Sequence, residues 1–172
     1  MFAFKTVMAP LPNIEPVSVM IIALTAVFGV KSFVSVYIYV FCEIYFFGIN
    51  VWNIMYLYVW AILTLIILLI RRPVLALNNR FTSKNGVIMI IFYSVVSSLY
   101  GLAFGTLCAI PYIFTFGWEF AVSWVVFGFW FDIMHCIGNA CITAILIYPL
   151  FLLLKYAEKI FLKNKIKNIP KT

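Results

Sequence analysis

Charge is what this sequence has least of: Asp, Glu, Lys and Arg together make up 10% of its 172 residues, against about 25% in a soluble domain. That scarcity excludes a soluble globular fold. There is one histidine, His135, and the acids number five, so neither an HExxH pair nor a carboxylate cluster exists to hold a metal ion. Cys42, Cys108, Cys136 and Cys141 form no CxxC pair and sit in apolar segments, which reads as buried thiols rather than a disulfide or zinc framework. No GxxxxGK(S/T) loop occurs, so a P-loop nucleotide site is excluded. No Ser or Cys nucleophile is spaced beside Asp132 and His135, and no catalytic residue is assigned. A signal peptide is not expected either, because Pro10 and Pro12 interrupt the first apolar residues before a hydrophobic core forms.

What the chain has in abundance is apolar surface. Two thirds of it is hydrophobic (66%), and the mean hydropathy is +1.14. This composition reads as an all-α integral membrane protein with room for five or six helices of roughly 20 residues. The net charge of +7 is not a nucleic-acid signal, because most of the bases fall in two clusters flanking apolar runs, where they mark topology.

Residues 1–15 are too short and too broken by proline to cross a bilayer. Apolar spans follow at 16–30, 32–48, 52–70, 86–108 and 132–154, so the chain reads as a single membrane domain over 1–172, a helical bundle of five crossings. The second span carries one carboxylate, Glu43. The third begins among Trp52, Tyr56, Tyr58 and Trp60 and is stopped by Arg71-Arg72-Pro73. In the fourth, Ser97, Gly101 and Gly105 recur every four residues, a helix-packing face that lets another helix approach closely. Pro111, Gly117 and Gly128 interrupt the aromatic-rich stretch 109–131, which is expected to be an outer loop or half-inserted helix.

The loop after the third span holds Arg71, Arg72, Arg80 and Lys84 with no acid, and the basic tail 155–172 sets six lysines against Glu158. By the positive-inside rule both are cytoplasmic. A single crossing then lies between Cys108 and Lys155, and residues 1–15 fall outside.

Asp132, His135, Asn139 and Thr143 are spaced to share one helical face. Ionisable groups are expensive in hydrocarbon, so that stripe must face protein or water. On this topology Asn13, Glu15, Glu43, Asn53, Tyr56, Trp60, Trp118, Trp124, His135 and Asn139 gather at the outer level. They are the candidate substrate-binding residues, furnishing an aromatic pocket open to the outside. Asp132 is expected to be structural, capping the last helix. The rival reading is a structural or assembly protein that binds a partner through its aromatic outer face.

A Gly-aromatic lead-in, the D-x-x-H-x-x-x-N arrangement of Asp132, His135 and Asn139, and an apolar run ending in Tyr148-Pro149-Leu150 close the chain's membrane part. Early on stand Asn13-Ile14-Glu15-Pro16, a short helix ending Val27-Phe28-Gly29, and the aromatic segment from Trp52 to Trp60. In these features the sequence resembles, over essentially its whole length, the substrate-binding S component of energy-coupling factor (ECF) vitamin transporters. The resemblance implies six helices with both ends cytoplasmic, in the plasma membrane of a bacterium. It implies binding of a vitamin or related micronutrient, with no cofactor held by this chain. The implied partners are a transmembrane coupling subunit and two ATPase subunits, which would hydrolyse the ATP. It also implies a first helix with an A-x-x-x-A motif that contacts the coupling subunit. Residues 1–9 contain no such motif, so either a helix before Met1 or a departure from the family is expected. A flat heterocycle would stack on the aromatic walls, oriented by His135, Asn139 and the third span's aromatics under a lid formed by 109–131. An N-terminal reporter fusion is expected to report an external location; a cytoplasmic signal counts against five crossings.

Overall fold

The computed structural model describes residues 1–8, 16–80 and 86–167. Two candidate binding residues, Asn13 and Glu15, lie outside the described residues. Elsewhere the chain is helical, with no strand among the described residues: α1 (Phe2–Met8), α2 (Val17–Phe28), α3 (Ser32–Phe47), α4 (Val51–Arg80), α5 (Val87–Phe116) and α6 (Trp118–Lys167), a 3-10 turn at Gly29–Lys31 joining α2 to α3. A chain solvated by hydrocarbon must satisfy its backbone internally, and helices do so within one segment.

Among the described residues four stretches are long and apolar enough to cross a membrane: Val17–Phe47, Val51–Ala76, Val87–Phe116 and Trp118–Phe161. The count differs from the five crossings expected because α2 and α3 have 12 and 16 residues. At 1.5 Å per residue they rise only about 18 and 24 Å, short of the roughly 30 Å of hydrocarbon. The chain turns back between them. Ser32 at the start of α3 accepts a hydrogen bond from Thr25 Oγ1 at 3.0 Å and donates to the Gly29 carbonyl at 2.7 Å. The far end of α3 lies at the start of α4, where Asn53 Nδ2 donates to the Glu43 and Gly48 carbonyls at 3.4 and 2.6 Å.

Arg71 fixes the turn between α2 and α3. Its Nη1 donates to the carbonyls of Thr25 and Ala26 at 3.3 and 3.4 Å, at the end of α2, where the Thr25 carbonyl also accepts the Gly29 amide. Gly29, with φ of 62°, makes this approach feasible, since a Cβ there would meet Arg71 Nη2 at 2.7 Å. Arg71 is therefore not a stop signal. Helix α4 continues through Pro73 to Arg80.

Helices α5 and α6 form a long antiparallel hairpin around Gly117, whose φ is 88°. The stretch 109–131, expected as an outer loop or half-inserted helix, is helical on both sides of that glycine, and α5 runs through Pro111. Proline removes one hydrogen bond from a helix, but in lipid an unravelled segment would leave many more unsatisfied. The basic tail likewise continues α6 as far as Lys167, through Pro149. Ring pairs hold the tip, with Phe116–Phe120 and Tyr112–Trp124 centroids 4.9 and 4.7 Å apart. Deeper in, the small face of α5 meets the polar stripe of α6: a Cβ on Gly101 would lie 2.8 Å from the His135 carbonyl carbon and oxygen, and one on Gly105 would collide with the Asp132 carboxylate.

Helix α2 is the central post. Val17, Val19, Ile21, Ile22, Ala23 and Ala26 are all buried, as befits a helix apolar all round. Its neighbours turn apolar faces outward as well, with Leu65, Leu69, Ile91, Val95, Ile145 and Leu153 exposed. An apolar exterior of this extent is compatible with a lipid surrounding.

Gly101→Leu is expected to lower stability by about 1–3 kcal/mol, because a backbone segment of α6 blocks the added side chain. Gly128, also on α6, has nothing within 4 Å of a built Cβ, so Gly128→Ala should be neutral or slightly stabilising. Thermal melts of the two purified variants in one detergent check the contrast.

Candidate functional site

Between the first turn of α4, the middle of α5 and the first half of α6 lies a cavity of about 680 Å³, within the usual range for small-molecule sites. Trp52, Phe104, Phe120, Trp124, Phe127 and Phe131 supply aromatic walls, and Asp132 and His135 line its deep end together with Gly105 and Cys108. The α6 members recur three or four residues apart, so one helical face carries both the aromatics and the two titratable groups. Phe127, 83% exposed, forms part of the rim.

Asp132 is 4% exposed and lies well inside α6, which begins at Trp118. The expected helix cap is thus corrected, because the helix N-terminus it would have capped lies upstream. Its Oδ1 instead accepts a hydrogen bond from the Gly105 amide of α5 at 2.8 Å. The missing side chain of Gly105 creates the room for that contact. His135 is 5% exposed, its ring stacks obliquely on Phe104 at 4.7 Å, and its Nδ1 is buried with no hydrogen-bond partner among the described residues. An unpaired buried polar atom costs about 1–3 kcal/mol. At the edge of a cavity, such an atom is suited to a ligand.

Asn139, one turn further on, does not line the cavity. Its Nδ2 donates to Ser18 Oγ and to the Ser97 carbonyl, both at 3.3 Å, tying α6 to α2 and α5. Ser97 itself is fully buried on the small face of α5 with Gly101.

The remaining candidates separate into a second group. Glu43, Asn53, Tyr56 and Trp60 lie on the α3–α4 side, where Lys5 of α1 pairs with Glu43 at 2.6 Å. The Trp60 ring contacts Phe104 at 5.6 Å, so the wall between this group and the cavity is one aromatic pair thick. Trp118 is 67% exposed at the tip of the hairpin and belongs to neither group. Of the residues picked from the sequence as ligand-binding, Trp124 and His135 reach the cavity.

Sequence reasoning missed Trp52, Phe104, Cys108, Phe120, Phe127 and Phe131 as cavity residues. The signal available was the three-and-four spacing from Phe120 to His135, continuous with the polar stripe. The assumption of a loop before Asp132 concealed it. Among the described residues no three His, Cys, Asp or Glu side chains converge; the cavity offers stacking faces, one carboxylate and one imidazole.

Comparison with protein-family models, with curated proteins and with solved structures finds no match to this chain.

His135→Phe keeps the ring volume and removes the unpaired nitrogen, so the unliganded protein should hold or gain stability, by about 1 kcal/mol. Asp132→Ala deletes the bond to Gly105 and should lose about 1–3 kcal/mol. Opposite signs in thermal unfolding of the two variants are the expected outcome.

Proposed function

We propose that this chain is the membrane-embedded binding subunit of an uptake system of the energy-coupling factor type, taking a vitamin or related micronutrient into the cavity between α4, α5 and α6. The observation that carries the reading is the aromatic-walled cavity with a buried carboxylate and, at its deep end, an imidazole nitrogen that has no partner among the described residues. A flat heterocycle would stack against Trp52, Phe104 or Trp124, while Asp132 accepts from a ring N–H or hydroxyl and His135 bonds a second polar atom. Such a division between apolar bulk and a few directional groups gives affinity and orientation together.

Charge distribution supports the orientation. Lys31, Arg71 and Arg72 lie near the α2–α3 turn, and Lys155 and Lys159 follow the point where Tyr148 packs on Gly86. The cavity and the tip of the hairpin are at the opposite end of the bundle. With the basic end and the C-terminus cytoplasmic, the cavity lies toward the outside, where substrate is captured. Transport would then depend on a transmembrane coupling subunit and two ATPase subunits, which hydrolyse the ATP.

The protein purified in mild detergent, denatured and examined by mass spectrometry is expected to release a small aromatic or heterocyclic compound. That compound should rebind to the unaltered chain and bind at least about tenfold more weakly to His135→Phe and Trp124→Ala, the loss of one hydrogen bond or one stack. A protein that releases no small molecule, or variants that rebind it with unchanged affinity, would sink the proposal.

A further inference from the structure

On the other side of the Trp60–Phe104 pair is a second constellation that the cavity does not use. Glu43 is 2% exposed in the middle of an apolar helix. One carboxylate oxygen, Oε2, accepts a hydrogen bond from Lys5 Nζ at 2.6 Å, and the other, Oε1, is buried with no partner among the described residues. The Lys5 ammonium also donates to Tyr56 Oη at 3.3 Å. It lies 4.8 Å from the centre of the Tyr56 ring and 6.0 Å from that of Tyr39. Trp60 packs against both of those rings, its own 5.5 Å from Tyr56 and 6.3 Å from Tyr39. Trp60 Nε1 is a second buried polar atom without a partner among the described residues.

Two aromatic rings and a carboxylate around an ammonium, with a third ring packed against the first two, are elements by which proteins recognise organic cations. What is unusual is the occupant. Lys5 comes from α1, a helix of seven residues with none buried, too short to be stable by itself. Besides Lys5, its side-chain contacts with the described residues include the stacking of Phe2 on Phe46 and Phe47 at 4.9 and 6.0 Å and the local bond of Thr6 to the Phe2 carbonyl. The cage walls, in contrast, stand on α3 and α4, helices of 16 and 30 residues, and Tyr39 and Trp60 are 2% and 1% exposed. The permanent part of the site is thus the cage, and the loosely held part is the cation.

We propose that Glu43, Tyr39, Tyr56 and Trp60 form a binding site for an organic ammonium group, and that Lys5 is its intramolecular occupant, displaced when an external amine or quaternary ammonium binds. A tethered lysine competes at a millimolar effective concentration, so it sets a threshold that a free cation must exceed. The Glu43 charge stays compensated throughout, since one ammonium leaves as the other arrives and no buried carboxylate is left unpaired. This site is separate from the cavity, and it stands or falls independently of the uptake reading.

The test uses the full chain in detergent, with n-butylammonium, which reproduces the lysine side chain, and tetramethylammonium, which has no N–H and reports the rings and charge alone. Binding is followed by calorimetry in the unaltered protein, in Lys5→Ala and in Lys5→Ala/Glu43→Gln. Lys5→Ala is expected to bind both cations at least about tenfold more tightly than the unaltered chain, and the added Glu43→Gln to abolish the gain. Equal affinity in the unaltered chain and Lys5→Ala overturns the proposal, as does cation binding that survives Glu43→Gln. Should Glu43→Gln prevent folding, Lys5→Ala/Tyr56→Leu replaces it: the carboxylate remains, one ring is lost, and tetramethylammonium affinity should fall severalfold, unchanged affinity being the contrary result.

Discussion

An apolar surrounding offers no hydrogen bonds, and much of this structure, with helices apolar enough to cross a membrane, accords with that single constraint. A polar group carried into the apolar interior is costly unless it finds a partner on another part of the chain. Arg71 reaches across to the last carbonyls of α2, Asp132 accepts the Gly105 amide, and Asn139 joins Ser18 to Ser97. The helix-packing face of Ser97, Gly101 and Gly105 has meaning in the same terms. Without side chains in the way, the backbone of α5 approaches α6 closely enough to serve the polar stripe and to be served by it. Prolines 73, 111 and 149 stay inside helices for the same reason.

Buried polar atoms with no partner among the described residues occur along much of the bundle, Ser94, Ser97 and Thr143 hydroxyls included, and three of them adjoin the cavity or the Lys5 pair. His135 Nδ1 lies at the cavity, while Glu43 Oε1 and Trp60 Nε1 lie in the cage occupied by Lys5. Trp60 is common to the architecture of both, contacting Tyr39 and Tyr56 on one side and Tyr100 and Phe104 on the other. A rearrangement of that ring would be felt at both places, since packed aromatic pairs transmit displacement. The opposite end carries the bases of the α2–α3 turn and of the extended α6. The bundle is polarised along its axis, with the cavity and the Lys5–Glu43 pair at one end and the basic residues of the α2–α3 turn and of α6 at the other.

Much of this was legible in the sequence, and the misreadings share a cause. The all-helical apolar character follows from composition alone. The polar face of Asp132, His135 and Asn139 and the small face of Ser97, Gly101 and Gly105 follow from periodicity. That these two faces meet each other did not, because spacing specifies which residues share a face and says nothing of what covers it. From the sequence the stretch 109–131 reads as an outer loop or half-inserted helix, because the positive-inside count leaves one crossing after Cys108 and Pro111, Gly117 and Gly128 interrupt it; in the structure the helix breaks at Gly117 alone. Aromatics could not be sorted either: Phe104 and Phe131 line the cavity while Phe114 and Trp130 are exposed, and composition treats them alike. Asn13 and Glu15 lie outside the described residues.

By itself, then, the sequence determined that the chain is helical and apolar enough to span a bilayer. It also determined where the scarce polar groups sit along each helix, since transfer energies and helical periodicity are local properties of the residues. Tertiary structure alone decided how those groups divide. Only the packing of α4 between α3 and α5 separates Glu43, Tyr56 and Trp60 from Asp132 and His135. It puts an aromatic pair between two sites that looked like one and brings Lys5 to a carboxylate far along the chain. Those are consequences of which helix faces meet, and that choice is made by the close fit of small residues, turns and rings across the whole bundle rather than by any one segment.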